Sequence, residues 1–312
     1  MSRNSSLKTS LTTLFSSPAE DKPHILNLVE ASVLSPTFAR RFSSPKELSR
    51  YTRLSALKQP LIIAHRAGYS PAGIWPECAL ESADEVLRNG PALIEIDIRT
   101  SSDGELFCIH DKTLNNGTTG TGPVRETPAE VIHRLHLLDA KGVQTKCRVP
   151  SLDNFLVWSS RGALLWLDIK EASPKKVIAK IREHKAEARV IVSAYGRKNL
   201  LKFLKLAPDL VYFVPFVPEL DLPDLESVLD SGAKPDQLIG FAGLYLPDIR
   251  ASLALAEHNI PALLDLGRGD RRLAPDQLDP RLYKTAVQQG FPLLNTDHYQ
   301  TVQKILSIKS WA

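Results

Sequence analysis

The chain has 312 residues, 43% of them hydrophobic and 24% charged, with a formal net charge of +4, an ordinary globular composition. No apolar run approaches the roughly 18 residues a membrane helix needs, and the opening MSRNSSLKTSLTTLFSSPAE lacks the apolar centre of a secretory signal. Three cysteines (Cys78, Cys108, Cys147) show no metal-binding spacing, which argues against a disulfide framework and for a reducing, cytoplasmic setting.

The charge is unevenly placed. Residues 1–60 hold nine Lys/Arg against four acids, so this segment is basic while the remainder is close to neutral. The segment is read as a basic N-terminal extension. It suits either a solvated arm packed loosely on the main domain or peripheral contact with an anionic membrane. Without aromatic residues interleaved among its basic ones it does not suit nucleic acid. The run before Glu20 is Ser/Thr-rich and free of acids, the composition of an organelle-targeting peptide, which is the alternative to a cytoplasmic location.

From residue 61 to 312 the pattern changes to short apolar runs: LIIAH (61–65), ALIEIDI (92–98), ELFCIH (105–110), ALLWLDI (163–169), RVIVSA (189–194), LVYFVP (210–215), QLIGFA (237–242), IPALLDL (260–266) and FPLLNT (291–296). Amphipathic stretches separate most of them. PECALESADEVLRNG opens on Pro and Glu and closes on Gly90; PDIRASLALAEHN and DPRLYKTAVQQG follow later. Strand, helix, strand at this spacing predicts a parallel sheet with crossover helices. Eight of the nine runs suffice for an α/β fold of the (β/α)₈ TIM-barrel type over 61–312, with ELFCIH pairing beside ALIEIDI as a local extension. An open doubly wound sheet is the alternative, but HRAGYSPAGIW does not match the glycine-rich first turn of such folds. Residues 111–150 interrupt the rhythm with Gly, Thr, Asn and Pro and one short helical piece near PAEVIHRL. They form a long insertion after the second barrel strand. SLDNFLVW then starts a helix with Ser151 as its cap.

The ionisable residues fall at the carboxyl ends of the apolar runs, where parallel α/β folds keep their chemistry. Glu95 and Asp97 lie two apart on one strand and share a face, with Ile94 and Ile96 on the other. Two carboxylates this close repel unless a cation joins them. Asp168 ends the next barrel strand and can supply a third oxygen to a hard divalent ion such as Mg²⁺ or Ca²⁺. Lys170 shares the face of Asp168. His65 and His110 end two more runs, and paired imidazoles suit general acid and base work. Arg66 offers a charged fork for phosphate. The other histidines (His24, His133, His136, His184, His258, His298) fall in helices or loops and are given no role.

Together AHRAG with PE ten residues beyond Arg66, IEIDIRTSSDGELFCIHD, TTGTGPV, VPSLDNFL and LDIK resemble the glycerophosphodiester phosphodiesterase family, with SAY (193–195) and NTD (295–297) as weaker matches. The resemblance implies a TIM barrel, a divalent metal, and hydrolysis of small-molecule glycerophosphodiesters to glycerol 3-phosphate and an alcohol. It implies His65 and His110 as the acid/base pair and Arg66 at the phosphate, joined by Lys170. Glu95 and Asp97 carry over as metal ligands, with Asp168 where the family commonly has Glu. PECA stands where PENT is usual: Glu77 is kept at the site's edge, while Cys78 and Ala79 replace polar groups. LLDLGRGD replaces an aromatic-Thr pair, which sets the carboxylate of Asp265 near the pocket mouth, either to favour a cationic head group or to cap a turn. Two rival functions remain. A lipid phosphodiesterase of the lysophospholipase D or sphingomyelinase D kind would show an apolar docking loop, and 111–125 is not apolar. A non-catalytic phosphate-binding barrel would lack a histidine or a carboxylate, and none is missing.

Overall fold

The computed structural model describes residues 38–68, 75–216, 221–222, 224–244 and 246–311. Twelve strands occur among them: β1 (Leu61–Ala64), β2 (Leu93–Thr100), β3 (Leu106–Cys108), β4 (His136–Leu138), β5 (Gln144–Arg148), β6 (Leu165–Glu171), β7 (Val190–Ser193), β8 (Val211–Pro215), β9 (Leu238–Leu244), β10 (Leu246–Pro247), β11 (Ala262–Asp265) and β12 (Leu293–Thr296). Eight of these pair in parallel in the order β1-β12-β11-β9-β8-β7-β6-β2, and β1 pairs back onto β2 to close a barrel. β3 lies outside the ring, antiparallel to the far end of β2. The chain is therefore a TIM barrel with the extension expected of ELFCIH.

Strand periodicity divides the core into two layers. Ile62, Ile94, Ile96, Leu165, Leu167 and Leu264 face outward and are sealed beneath the helices. Leu61, Ile63, Leu93, Trp166, Ile191 and Phe213 face inward and fill the barrel. This alternation is what a two-residue repeat on strands covered by crossover helices produces.

The helix Pro45–Tyr51 closes the amino-terminal end of the barrel. Ser44 caps it, and its Leu48 and Tyr51 join the inner layer. Ser49 and Arg53 donate hydrogen bonds to the carbonyls of Asp236 and Pro235 on the strand-preceding turn. Thus residues 38–60 of the basic extension are packed on the barrel, whereas residues 1–37, which carry the targeting and much of the membrane-contact expectation, lie outside the described residues. No helix among the described residues is long and apolar enough to cross a membrane.

The helix expected from PECALESADEVLRNG runs from Leu80 to Asn89, four residues later than its Pro-Glu start suggested. Cys78 takes φ 56°, which breaks the turn before a helix can begin and leaves Pro76 and Glu77 in the loop above the barrel. The insertion contains the expected short helix (Ala129–His133) and also the β4–β5 hairpin, which sequence did not indicate. His136, expected in a helix or loop, opens β4. The insertion shares a separate small core with β3, in which Phe107, Leu114, Ile132, Leu137, Cys147 and Val149 are buried together. Ser151 caps the helix Leu152–Ser159 in a reciprocal box with Asn154.

Candidate active site

All nine residues singled out from sequence converge on the carboxyl-terminal mouth of the barrel. A cavity of about 590 Å³ opens there, and His65, Arg66, Glu95, His110, Asp168 and Lys170 line its polar side, continued by Asp265. Asp97 lies directly behind that lining, and Glu77 faces a smaller adjoining cavity shared with Arg66.

The strand register explains the carboxylate group. β2 and β6 run parallel with Asp97 beside Asp168, so inward-facing acids on neighbouring strands meet at one level, and Glu95 sits one step below beside Trp166. Oxygens of Glu95, Asp97 and Asp168 all lie within 4.8 Å of one another, and all three residues are buried. Lys170 donates to Asp168 Oδ2 at 2.7 Å and approaches Asp97 Oδ1 at 3.2 Å. Tyr195, at the end of SAY, lies near Asp168, and burial with that carboxylate beside it pushes the phenol well above its ordinary range.

One ammonium does not neutralise three buried carboxylates. Burial and then the neighbouring Asp97 charge push the Glu95 carboxyl well above its ordinary range, and burial likewise raises Asp168. Asp97 is held below its ordinary value, because Lys170, His110 and Arg66 together outweigh burial. Glu95 Oε1 and Asp168 Oδ1 are buried with no hydrogen-bond partner among the described residues. Buried oxygens are rarely left so. A hard divalent cation would take both oxygens and relieve the repulsion, and the all-oxygen donor set fits Mg²⁺ or Ca²⁺. A second acid/histidine group, Asp153 with Glu183 and His184, lies apart on the outer helices, where Lys180 already pairs with both acids.

The two histidines are held differently. His65 Nδ1 bonds Asp297 Oδ1 at 2.7 Å, and Asp297 is fully buried. Burial alone would lower the imidazole, but the Asp297 bond and charge, with Glu95 and Asp265 beyond, raise its pKa to about 9. Packing there is close: a Cβ on Gly267 would lie 2.8 Å from His65 Nδ1. His110 Nδ1 bonds Asp111 Oδ1 at 2.8 Å, nearer the surface. Burial, helped by the Arg66 charge, keeps His110 below its ordinary value in spite of Asp97. Its backbone carbonyl is clamped by two nitrogens of Arg99, which also pairs with Glu171. The β2–β3 extension therefore fixes His110 against the second and third barrel strands.

Arg66 has φ 51° and Ala67 φ 62°, a left-handed pair that L-residues adopt at a cost and that recurs at functional sites. This sharp turn lets the Arg66 amide donate to Glu95 Oε2 at 2.7 Å while its side chain pairs with Glu77 at 2.8 Å. Arg271 reaches the same Glu77 oxygen at 2.8 Å and stands 3.8 Å from Asp297 Oδ2. Glu77 thus orients two arginines at the rim. Asp265 Oδ1 accepts from the Gly267 amide and from Asn295, each at 3.0 Å, so it caps the turn after β11 while lining the cavity.

Sequence reasoning named no role for Asp297 and passed over Arg271. NTD was noticed as a motif, but nothing near it in sequence points to a histidine 232 residues away. Beneath Asp297, Asp270 accepts from Tyr283 and Thr296 and receives the Asp297 amide at 3.4 Å. The signal available was a fourth apolar run followed by a carboxylate at a barrel strand end, after those of Asp97, Asp168 and Asp265.

Residues 65–220, half of the chain, match the model of the glycerophosphoryl diester phosphodiesterase family. Among curated relatives, the glycerophosphodiester phosphodiesterase of Caldanaerobacter subterraneus subsp. tengcongensis is 30% identical over 158 residues, covering 48% of this chain and 64% of that protein. The Bacillus subtilis glycerophosphodiester phosphodiesterase is 25% identical over 191 residues, covering 55% and 63%. The chain thus spans somewhat less than two thirds of these relatives. Among solved structures, a glycerophosphoryl diester phosphodiesterase from Parabacteroides distasonis superposes with TM-score 0.76 at 22% identity, covering 86% of this chain and 93% of that one. An Oleispira antarctica phosphodiesterase in complex with the product sn-glycerol-3-phosphate superposes with TM-score 0.62 at 21% identity, covering 80% and 97%. The structural likenesses carry the barrel, and the matched segment carries His65, Glu95, Asp97, His110 and Asp168: the chain belongs to the glycerophosphoryl diester phosphodiesterase family.

Proposed function

We propose that the protein hydrolyses glycerophosphodiesters to glycerol 3-phosphate and an alcohol, with a divalent cation held by Glu95, Asp97 and Asp168. The observation that carries this reading is the buried carboxylate triad with two orphaned oxygens, set in one cavity with two histidines of opposite electrostatic bias. Glu95, Asp97 and Asp168 would hold Mg²⁺ or Ca²⁺, which would supply charge stabilisation at the phosphoryl oxygens. Arg66 and Lys170 place two further positive charges at the cavity wall to receive the phosphate.

The bias of the histidines supports a division of their roles. His110, neutral near pH 7, takes the proton of the attacking hydroxyl at its free Nε2, while Nδ1 stays tied to Asp111. His65, an imidazolium against Asp297, gives its Nε2 proton to the departing alkoxide. With the substrate's own glycerol 2-hydroxyl attacking, the phosphorus–oxygen bond to the alcohol breaks and a cyclic phosphate forms. Water then opens that ring with the proton transfers reversed: His65 takes a proton from water and His110 returns one to the 2-oxygen, which restores both starting states. Asp297 holds the His65 ring by Nδ1 and stabilises its charged form. Glu77 keeps Arg66 and Arg271 at the rim.

The test is product analysis with purified protein on glycerophosphocholine. Release of glycerol 3-phosphate and choline that fails in His65→Ala and in His110→Ala supports the reading. Substantial turnover in both variants, or none in the wild type with Mg²⁺ or Ca²⁺, overturns it.

A further inference from the structure

The cavity wall at β11 and β12 carries a polar atom that neither the carboxylate triad nor the two histidines use. Asp265 and Asn295 are Cα partners on these neighbouring strands, and both line the cavity beside His65 and Gly267. Asp265 Oδ1 accepts from the Gly267 amide and from Asn295 Nδ2, each at 3.0 Å. These bonds orient the carboxamide, since a flip would set its oxygen against the carboxylate oxygen. Asn295 Oδ1 therefore points away from Asp265. The residue is only 3% exposed, and no donor among the described residues reaches that oxygen. A buried acceptor is costly to leave unmade and is normally completed by a ligand or an ordered water.

Position identifies the part of a substrate that reaches this atom. Asn295 is in register with Ile63 on β1, one two-residue step, about 6–7 Å of strand, below His65 and its partner Asp297. A Cβ on Gly267 would lie 2.8 Å from His65 Nδ1, so His65, Gly267 and the Asp265–Asn295 pair make one corner. In the mechanism above His65 protonates the departing alkoxide, and the corner therefore belongs to the departing alcohol. We infer that Asn295 Oδ1, backed by Asp265, accepts a hydrogen bond from an N–H or O–H of that alcohol. The preferred head groups are then short amino alcohols or glycols that keep a donor, and a fully methylated ammonium is the poorest. The inference rests on the phosphodiesterase reading. Charge alone does not make this selection. The Asp265 carboxylate would favour every ammonium alike, and Arg271 and Arg272 line the same cavity. An unmet acceptor sorts head groups by their donors instead.

The experiment measures kcat/KM of the full chain on glycerophosphoethanolamine and its N-methyl, N,N-dimethyl and N,N,N-trimethyl forms. This series keeps the charge and removes the N–H donors in turn. A neutral pair, the 2-hydroxyethyl diester and its O-methyl ether, removes an O–H donor in the same way. kcat/KM is expected to fall at least about fivefold when the last donor is lost. A fall in one series alone assigns the corner to an ammonium or to a hydroxyl and supports the inference. In Asn295→Leu, close in volume but unable to accept, the fall should disappear. Asp265→Asn keeps an acceptor without the charge and should retain the fall in the neutral pair. A fall that persists in Asn295→Leu reports only the bulk of the added methyl groups and overturns the inference. Equal turnover of all the diesters by the wild type leaves the Asn295 oxygen to water and likewise overturns it, with the phosphodiesterase reading still standing. Absence of turnover on every substrate overturns the phosphodiesterase reading and the inference with it.

Discussion

The two ends of the barrel interior are built from the same strands and do opposite things. At the amino-terminal end Leu61, Leu93, Val211 and Leu293 meet the Leu48 and Tyr51 side chains of the helix Pro45–Tyr51, and no charge enters. Four residues further along those strands stand His65, Asp97, Pro215 and Asp297. There, acids from adjacent strands crowd together, two of their oxygens find no donor, and the backbone turns left-handed at Arg66. The closed end is built from apolar side chains; the open end carries a carboxylate repulsion that a cation would relieve. The difference teaches that the same two-residue periodicity supplies stability at one end and a charge-focusing site at the other.

Breaking the open end has the largest expected effect on activity. His65→Ala and His110→Ala should each lower kcat by about 10²–10⁴-fold; His110→Ala should leave thermal unfolding nearly unchanged, whereas His65→Ala also loses the Asp297 pair and should unfold at lower temperature, as activity assays and calorimetry on the same samples would show. Breaking the closed end should do the reverse. Leu48→Ala removes a fully buried side chain and should cost about 2–5 kcal/mol of stability, read by denaturant unfolding, while the kcat of the folded protein stays near that of the wild type.

The charge pair at the open end makes stability depend on pH. His65 has its pKa raised to about 9 when folded, against about 6.5 unfolded. Its contribution is full below about pH 6.5 and is lost as pH rises through 9, a change on the order of 3 kcal/mol. Chelated wild-type protein should therefore lose more stability between pH 6.5 and 9.5 than His65→Gln. Equal slopes would show that Asp297 does not hold a charged imidazole. Asp297→Asn keeps the shape and removes the charge, and about a 10–100-fold fall in activity is expected. The smallest effect sharpens the contrast from outside both ends: Ser151→Ala removes a helix cap and should cost about 1 kcal/mol, with no change in kcat.

Most of the barrel and the polar half of the site were legible in sequence because strand ends announce themselves. Glu95, Asp97 and Asp168 follow from period two on apolar runs, and His65 and His110 from their places at run ends. Asp297 was not legible as a partner of His65, since closure of β12 onto β1 makes that contact and no local pattern encodes it. The β4–β5 hairpin was missed because its strands are short and half-exposed, so apolar alternation is weak. The helix after PECA was placed early because Pro-Glu reads as a helix start, while the left-handed turn at Cys78 is set by tertiary contacts: its amide donates to the Arg66 carbonyl at 2.8 Å and its thiol lies 3.8 Å from Asp97. The apolar part of the cavity lining escaped notice because Trp166, Phe213 and Phe241 read as ordinary core residues until the mouth is seen to open between them.

The most direct test of the open end as one cation-dependent site is a titration of chelated protein with Mg²⁺ and, separately, Ca²⁺. Glycerol 3-phosphate release from glycerophosphocholine would be followed beside calorimetric binding of the ion. Activity should be absent in chelator and should return along the binding curve of one cation per chain. Both binding and recovery should be lost in the Glu95→Gln, Asp168→Asn double variant. Full activity in chelator, or unaltered binding by that double variant, would contradict the account.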